Sequence, residues 1–133
     1  MEDKQLVHLA AEARKYAYGP YSGYRVGAAL IAEDGTVFTG CNIENIVYPA
    51  GICAERVAFS KAVSEGRRKF RAIAVAGSTG EMAYPCGICR QFISEFADPG
   101  FIVLCANVNE EFERFKFSDL LPKSFNAKFG GFA

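Results

Sequence analysis

Two short stretches constrain this chain more than any others: Cys53-Ala54-Glu55 and Pro85-Cys86-Gly87-Ile88-Cys89. They carry three thiols and one carboxylate, with enough chain between them for a helix and a strand. Three thiolates on one ion leave a coordination position open, whereas a structural zinc site normally closes with four protein ligands. To share an ion, residue 53 and residues 86–89 have to be brought to one point by the fold. Cys86 and Cys89 are one helical turn apart, so both sulfurs can reach that point from a single helix. Both stretches fall where loop gives way to helix, and a helix N-terminus favours thiolate over thiol.

The remaining elements can supply that convergence. Leu6, Leu9, Ala10, Ala13 and Ala17 recur at helical spacing from Asp3 to about Tyr18, and Gly19-Pro20 is the stop. Residues 25–33 form a run of small and aliphatic side chains, Asp34-Gly35 is a two-residue hairpin turn, and 36–43 continue as the partner strand. A helix is expected over 53–65, ended by Gly66, with a buried strand over 70–77. Residues 78–85 read as loop, 86–96 as a helix stopped by Asp98-Pro99-Gly100, and 101–106 as a second buried strand. A turn over 107–111 leads to a less cleanly alternating strand over 112–117. Leu120-Leu121-Pro122 and a tail with Phe125, Phe129 and Phe132 close the sequence. Strands separated by helices imply crossovers, with helices packed on the sheet faces. The expected fold is one domain over residues 1–133: a three-layer α/β/α architecture around a mixed five-stranded sheet.

Charge narrows what such a domain binds. Fifteen basic and fifteen acidic residues cancel, and the densest basic run is only Arg67-Arg68-Lys69. A protein gripping nucleic acid through its phosphates would want a basic face, so no nucleic-acid partner is expected. No apolar stretch approaches the roughly 20 residues needed to span a bilayer, and Met1-Glu2-Asp3-Lys4 lacks the order of a signal peptide. Five cysteines is an odd number, which suits a reducing cytoplasm better than a disulfide framework. The expectation is a soluble cytoplasmic protein with a small uncharged substrate.

Glu55 is the candidate proton carrier, because a partly desolvated carboxyl has a raised pKa and can act as both acid and base. Three thiolates on Zn²⁺ leave a net negative charge. Arg56 and Arg90, each directly after a site residue, are candidates to offset it with hydrogen bonds to sulfur. A Cys-x-x-Cys at a helix start also serves in redox proteins, but that reading gives Cys53 no role. A structural zinc knot with a fourth ligand is the stronger rival. His8, the only histidine, sits in an amphipathic helix far from either motif, and Cys41 and Cys105 read as packing residues.

The chain resembles the small zinc-dependent cytidine deaminases. The matching stretches are 20–22 (Pro-Tyr-Ser), 26–30 (Val-Gly-Ala-Ala-Leu), 40–45 (Gly-Cys-Asn-Ile-Glu-Asn) and 53–56 (Cys-Ala-Glu-Arg). Residues 62–66, 85–91 and Leu120-Leu121-Pro122 with Phe125 continue the series in the same order. The resemblance implies one zinc per subunit on Cys53, Cys86 and Cys89, with Glu55 as proton shuttle. It implies that Asn42 and Glu44 hold the ribose hydroxyls and that the backbone around Ala54 reads the pyrimidine. Aromatic residues at Tyr24, Tyr48 and Phe125 would line the pocket, some from neighbouring subunits of a homotetramer. Tyr24 stands where phenylalanine is usual, and Ile46 where a smaller residue is common. The implied activity is hydrolytic deamination of cytidine and 2′-deoxycytidine. The alternatives are a deaminase of a blasticidin-type nucleoside antibiotic, a nucleic-acid editing enzyme and a non-catalytic zinc-stabilised binding module.

Overall fold

The structure, a computed structural model of the chain, describes residues 1–127, so Phe129 and Phe132 of the tail lie outside the described residues. Five strands, β1 (Val26–Ala32), β2 (Val37–Cys41), β3 (Phe70–Gly77), β4 (Ile102–Ala106) and β5 (Phe112–Lys116), form one sheet in the order β2-β1-β3-β4-β5. Only β3 and β4 pair in parallel; the other neighbours are antiparallel, which makes the sheet mixed. Side chains alternate between its two faces. Leu30, Ile73, Val75 and Val103 point to the face covered by α2 (Ala54–Ser64) and α3 (Gly87–Ser94). Ala29, Ile31, Ala74 and Leu104 point to the other, covered by Leu6, Val7, Ala10 and Ala11 of α1 (Asp3–Ala13). The expected three layers are present.

This topology brings the two cysteine stretches together. Helix α2 leads into β3 and α3 leads into β4, and those two strands run in the same direction. Both helices lie on one face and run back along their strands, so both start at the edge where β3 and β4 finish. Two glycines set how closely helices approach the sheet. A methyl on Gly40 of β2 would sit 2.4 Å from the Ala54 carbonyl oxygen and 2.7 Å from the Ala58 nitrogen. A methyl on Gly27 of β1 would sit 1.9 Å from the Ala10 oxygen. Neither contact is possible, so both positions require glycine. Phe59 anchors the α2 layer: it is fully buried, with the rings of Phe70, Phe96, Phe92 and Phe101 at 5.0, 5.6, 6.1 and 6.2 Å.

Several boundaries depart from the sequence reading. Helix α1 ends at Ala13 rather than near Tyr18, continuing only as a 3-10 turn over Arg14–Tyr16. Tyr18 is drawn instead into a bridge with Ile43: its N–H donates to the Asn42 carbonyl at 2.9 Å and its carbonyl accepts from Glu44 at 2.8 Å. Tertiary hydrogen bonds thus override local helix propensity. The hairpin turn takes in Glu33 as well as Asp34 and Gly35, with Ala32 N–H donating to Thr36 at 2.9 Å and Gly35 at φ +90°. Beyond β5 the chain forms a short helix α4 (Phe117–Leu120), so Phe117 opens a helix rather than closing the strand.

Candidate active site

Cys53 and Cys86 each occupy the residue just before a helix, in extended backbone (φ −77°, ψ 156° and φ −69°, ψ 171°). Cys89 follows within the first turn of α3 and is buried. Their three sulfurs lie within 4.8 Å of one another, and the Cys53 and Cys86 Sγ atoms are 3.7 Å apart. Tetrahedral coordination at a Zn–S distance of about 2.3 Å separates two sulfurs by about 3.8 Å, so the donor set fits zinc. Among the described residues no fourth histidine, cysteine or carboxylate joins the group. His8 is instead on the exposed side of α1, 3.0 Å from Glu110. Cys105 is buried in the core, which pushes its thiol up to about 12, and Cys41 is half-buried on β2.

The local electrostatics separate the sulfurs. A hydrogen bond from Cys89 is the largest influence on Cys53, and with Arg56 beside it the Cys53 thiol falls to about 5 against the opposing effect of burial. The donor, Cys89, is held well above its ordinary range. Glu55, one residue into α2 from Ala54, is 4 % exposed. Desolvation pushes its carboxyl up to about 7, and the charge of Cys53 adds to that rise. A group poised near neutrality can give and take a proton at physiological pH.

The two arginines part company. Arg56 Nη2 donates to Cys53 Sγ at 3.8 Å, and its Nε is buried without a hydrogen-bond partner. Arg90 was expected on sulfur too, but its Nε donates to the Pro85 carbonyl at 2.8 Å and its Nη1 to the Leu120 carbonyl at 2.7 Å. It ties the loop before Cys86 to the segment after β5, and those backbone acceptors take the donors that sulfur would otherwise claim.

A cavity of about 670 Å³ opens above Cys53 and Cys86, within the usual range for a small-molecule site. Ala54, Glu55, Arg56, Asn42, Glu44, Tyr24 and Tyr48 all line it. Asn42 accepts from Val26 N–H at 2.8 Å and donates one amide hydrogen to the Tyr24 carbonyl at 3.0 Å, leaving a second hydrogen. Glu44 accepts from the N–H groups of Tyr21 (2.9 Å) and Ser22 (3.1 Å) and from the Ser22 hydroxyl. These bonds, the Ser22 hydroxyl foremost, hold its carboxyl below the ordinary range. Tyr21 and Ser22 were within a motif stretch, yet nothing local in the sequence revealed that they tether Glu44. Tyr84 and Ile88 also line the cavity, at positions that no motif in the sequence specifies; Tyr84 is held by its hydroxyl donating to Glu113 at 2.5 Å. Phe125 is absent from the lining and is 67 % exposed, its carbonyl accepting from Gln91 at 2.9 Å.

The geometry has counterparts. The chain is 47 % identical over 126 residues to a cytidine deaminase from Sporosarcina psychrophila, covering 95 % of this chain and 93 % of that one. It superposes on the crystal structure of a cytidine deaminase from Burkholderia pseudomallei with a TM-score of 0.89 at 43 % identity, covering 94 % of this chain and all of that one. A blasticidin-S deaminase from Bacillus cereus is more distant, 26 % identical over 132 residues covering 93 % and 92 % of the two chains. The model of the cytidine and deoxycytidylate deaminase zinc-binding region matches residues 1–105, which include all three converging sulfurs and the buried carboxyl between them. This chain therefore belongs to the cytidine and deoxycytidylate deaminase family.

Proposed function

We propose that the protein hydrolyses cytidine and 2′-deoxycytidine to uridine and 2′-deoxyuridine, releasing ammonia, with one zinc per subunit on Cys53, Cys86 and Cys89. The observation that carries this reading is the Glu55 carboxyl, buried and poised near neutrality beside three sulfurs that leave a coordination position open. When bound, zinc lowers the pKa of water and so supplies a nucleophile at neutral pH. Glu55 takes a proton from the attacking water and delivers it to the ring nitrogen beside the reacting carbon. As the new C–O–H group becomes the product carbonyl, Glu55 takes up its proton and passes it to the departing amine, which leaves as ammonia, so one carboxyl serves as base and acid in turn.

The cavity wall supports a nucleoside as the occupant. Asn42 keeps one amide hydrogen, and Glu44 keeps acceptor capacity, for sugar hydroxyls. A free base would leave both unpaired, which is the basis of discrimination. Backbone N–H groups around Ala54, at the open end of α2, face the pyrimidine edge, and Tyr24 and Tyr48 offer aromatic surface. Arg56 is the one cationic side chain among the described lining residues and is turned to sulfur, which suits a nucleoside better than its 5′-phosphate.

A homotetramer completes this reading, with Phe125 reaching a neighbouring subunit's cavity. Exposed Tyr21, Ile46, Val47, Tyr48 and Phe125 provide apolar surface for such contacts. Pyrimidine salvage in the cytoplasm is the matching role, and no helix among the described residues is long and apolar enough to cross a membrane. Purified protein mixed with cytidine should show the ultraviolet absorbance change of conversion to uridine. The Glu55→Gln protein should hold zinc and be nearly inactive; normal turnover by that variant would remove Glu55 from the reaction, whereas a zinc-loaded wild-type protein without turnover would favour a binding module. Competition between cytidine and blasticidin S separates the remaining enzyme alternative.

A further inference from the structure

Tyr24 brings a hydroxyl to a cavity wall where related chains are expected to carry phenylalanine, and that oxygen needs a place to sit. The place is the end of β3. A methyl built on Gly77 would lie 2.3 Å from the Tyr24 hydroxyl oxygen and 3.1 Å from the ring carbon that bears it. The first distance is far inside van der Waals contact. Gly77 does not adopt a left-handed conformation, so its backbone alone does not call for glycine. What calls for it is the hydroxyl.

Gly77 is fixed in place, so Tyr24 has to give. Gly77 is paired with Val26 across the sheet, its carbonyl accepts from Arg14 Nη1 at 2.7 Å, and the added methyl would also meet Ala83 at 3.1 Å. Tyr24 is tied to the sugar side of the cavity. Its carbonyl accepts from Asn42 at 3.0 Å, and its N–H donates to Ser22 Oγ at 3.0 Å, the same hydroxyl that donates to Glu44. A push on the ring that shifts this backbone would be passed to the residues that face the ribose.

We propose that Gly77 is a positioning residue for Tyr24: its bare α-carbon seats the phenol oxygen, so that tyrosine takes this wall position without crowding the nucleoside or displacing Asn42 and Glu44. The proposal rests on the cytidine reading above and identifies which pair of residues sets the width of that site. Gly77 does not touch substrate; it acts through the tyrosine.

The test measures Gly77→Ala twice, in the wild-type protein and in the Tyr24→Phe background, with KM and kcat for cytidine in each. In the wild-type background the methyl should raise KM by about tenfold or more with a smaller change in kcat, the pattern of disturbed substrate binding. In the Tyr24→Phe background the same methyl should change KM by less than about threefold, because the atom it meets at 2.3 Å is gone. Equal fold-changes in the two backgrounds overturn the proposal. Should Gly77→Ala alone fail to fold, the doubly substituted protein has to fold and turn over; its failure would also overturn it. Absence of cytidine turnover in the wild-type protein would count against the proposed function instead. The same four proteins are then compared by Tm, where a loss from Gly77→Ala that is no smaller in the Tyr24→Phe background refutes the pairing.

Discussion

Replacing Glu55 by glutamine should abolish turnover and yet make the metal-free protein more stable at alkaline pH. The carboxyl is 4 % exposed, and burial raises it from an ordinary 4.5 to about 7. The folded state thus holds this proton more tightly than the unfolded state. Wild-type stability accordingly falls as pH rises from the ordinary carboxylate range through neutrality, where the unfolded chain ionises Glu55 freely and the folded chain resists. Glutamine carries no charge and escapes the loss. A shift from 4.5 to about 7 corresponds to about 3 kcal/mol once both states are ionised. Most of it, about 2.5 kcal/mol, should develop between about pH 5 and pH 8. The assay is urea unfolding of both proteins at matched concentration, with chelator and reductant present, at those two pH values. The glutamine variant should gain on the wild type as pH rises. Parallel stability at the two pH values would mean that the carboxyl is not desolvated, and the assignment of Glu55 as a proton carrier tuned by burial would fail with it.

Removal of the Arg56 guanidinium that faces Cys53 should weaken the metal centre: Arg56→Ala is expected to lose zinc to a competing chelator about tenfold faster than wild type. An unchanged rate would separate Arg56 from the sulfurs. Phe59→Ala empties the centre of the α2 layer and should cost about 3–5 kcal/mol in denaturant unfolding; a loss below about 1 kcal/mol would show that this cluster is not the packed core. Gly40→Ala should drive the start of α2 off β2 and lower both zinc content and cytidine turnover, read by metal analysis and absorbance. Full zinc loading at wild-type activity would contradict the close approach.

The alternating and buried strands were legible because their side chains carry the signal. Phe70–Gly77 was read with its observed limits, since an apolar run between polar loops defines itself. The same holds for the cysteine stretches, whose place at helix starts follows from loop residues meeting good helix formers. Contacts made by partners distant in sequence were not legible. Helix α1 stops early because Asn42 and Glu44 compete for the backbone of Tyr18. Arg56, three residues after Cys53, shares a helix face with that sulfur, whereas Arg90 is claimed by carbonyls at Pro85 and Leu120 that no local pattern places beside it. The seat of the Tyr24 hydroxyl on Gly77 spans more than fifty positions and is likewise a property of the fold.

The parallel pairing of β3 with β4 also fixes where the molecule can be rebuilt. The chemistry gathers at the edge where those strands finish, whereas the opposite edge carries the hairpin tip at Asp34-Gly35, the exit of α2 around Gly66, the turn at Pro99-Gly100 before β4 and the start of α4. From Gly77 to Phe70 a strand covers about 23 Å, so that rim and the site lie at opposite ends of β3. Tags, inserted peptides or new chain termini placed there should leave the nucleoside cavity untouched, which marks this rim as the handle by which the protein can be engineered.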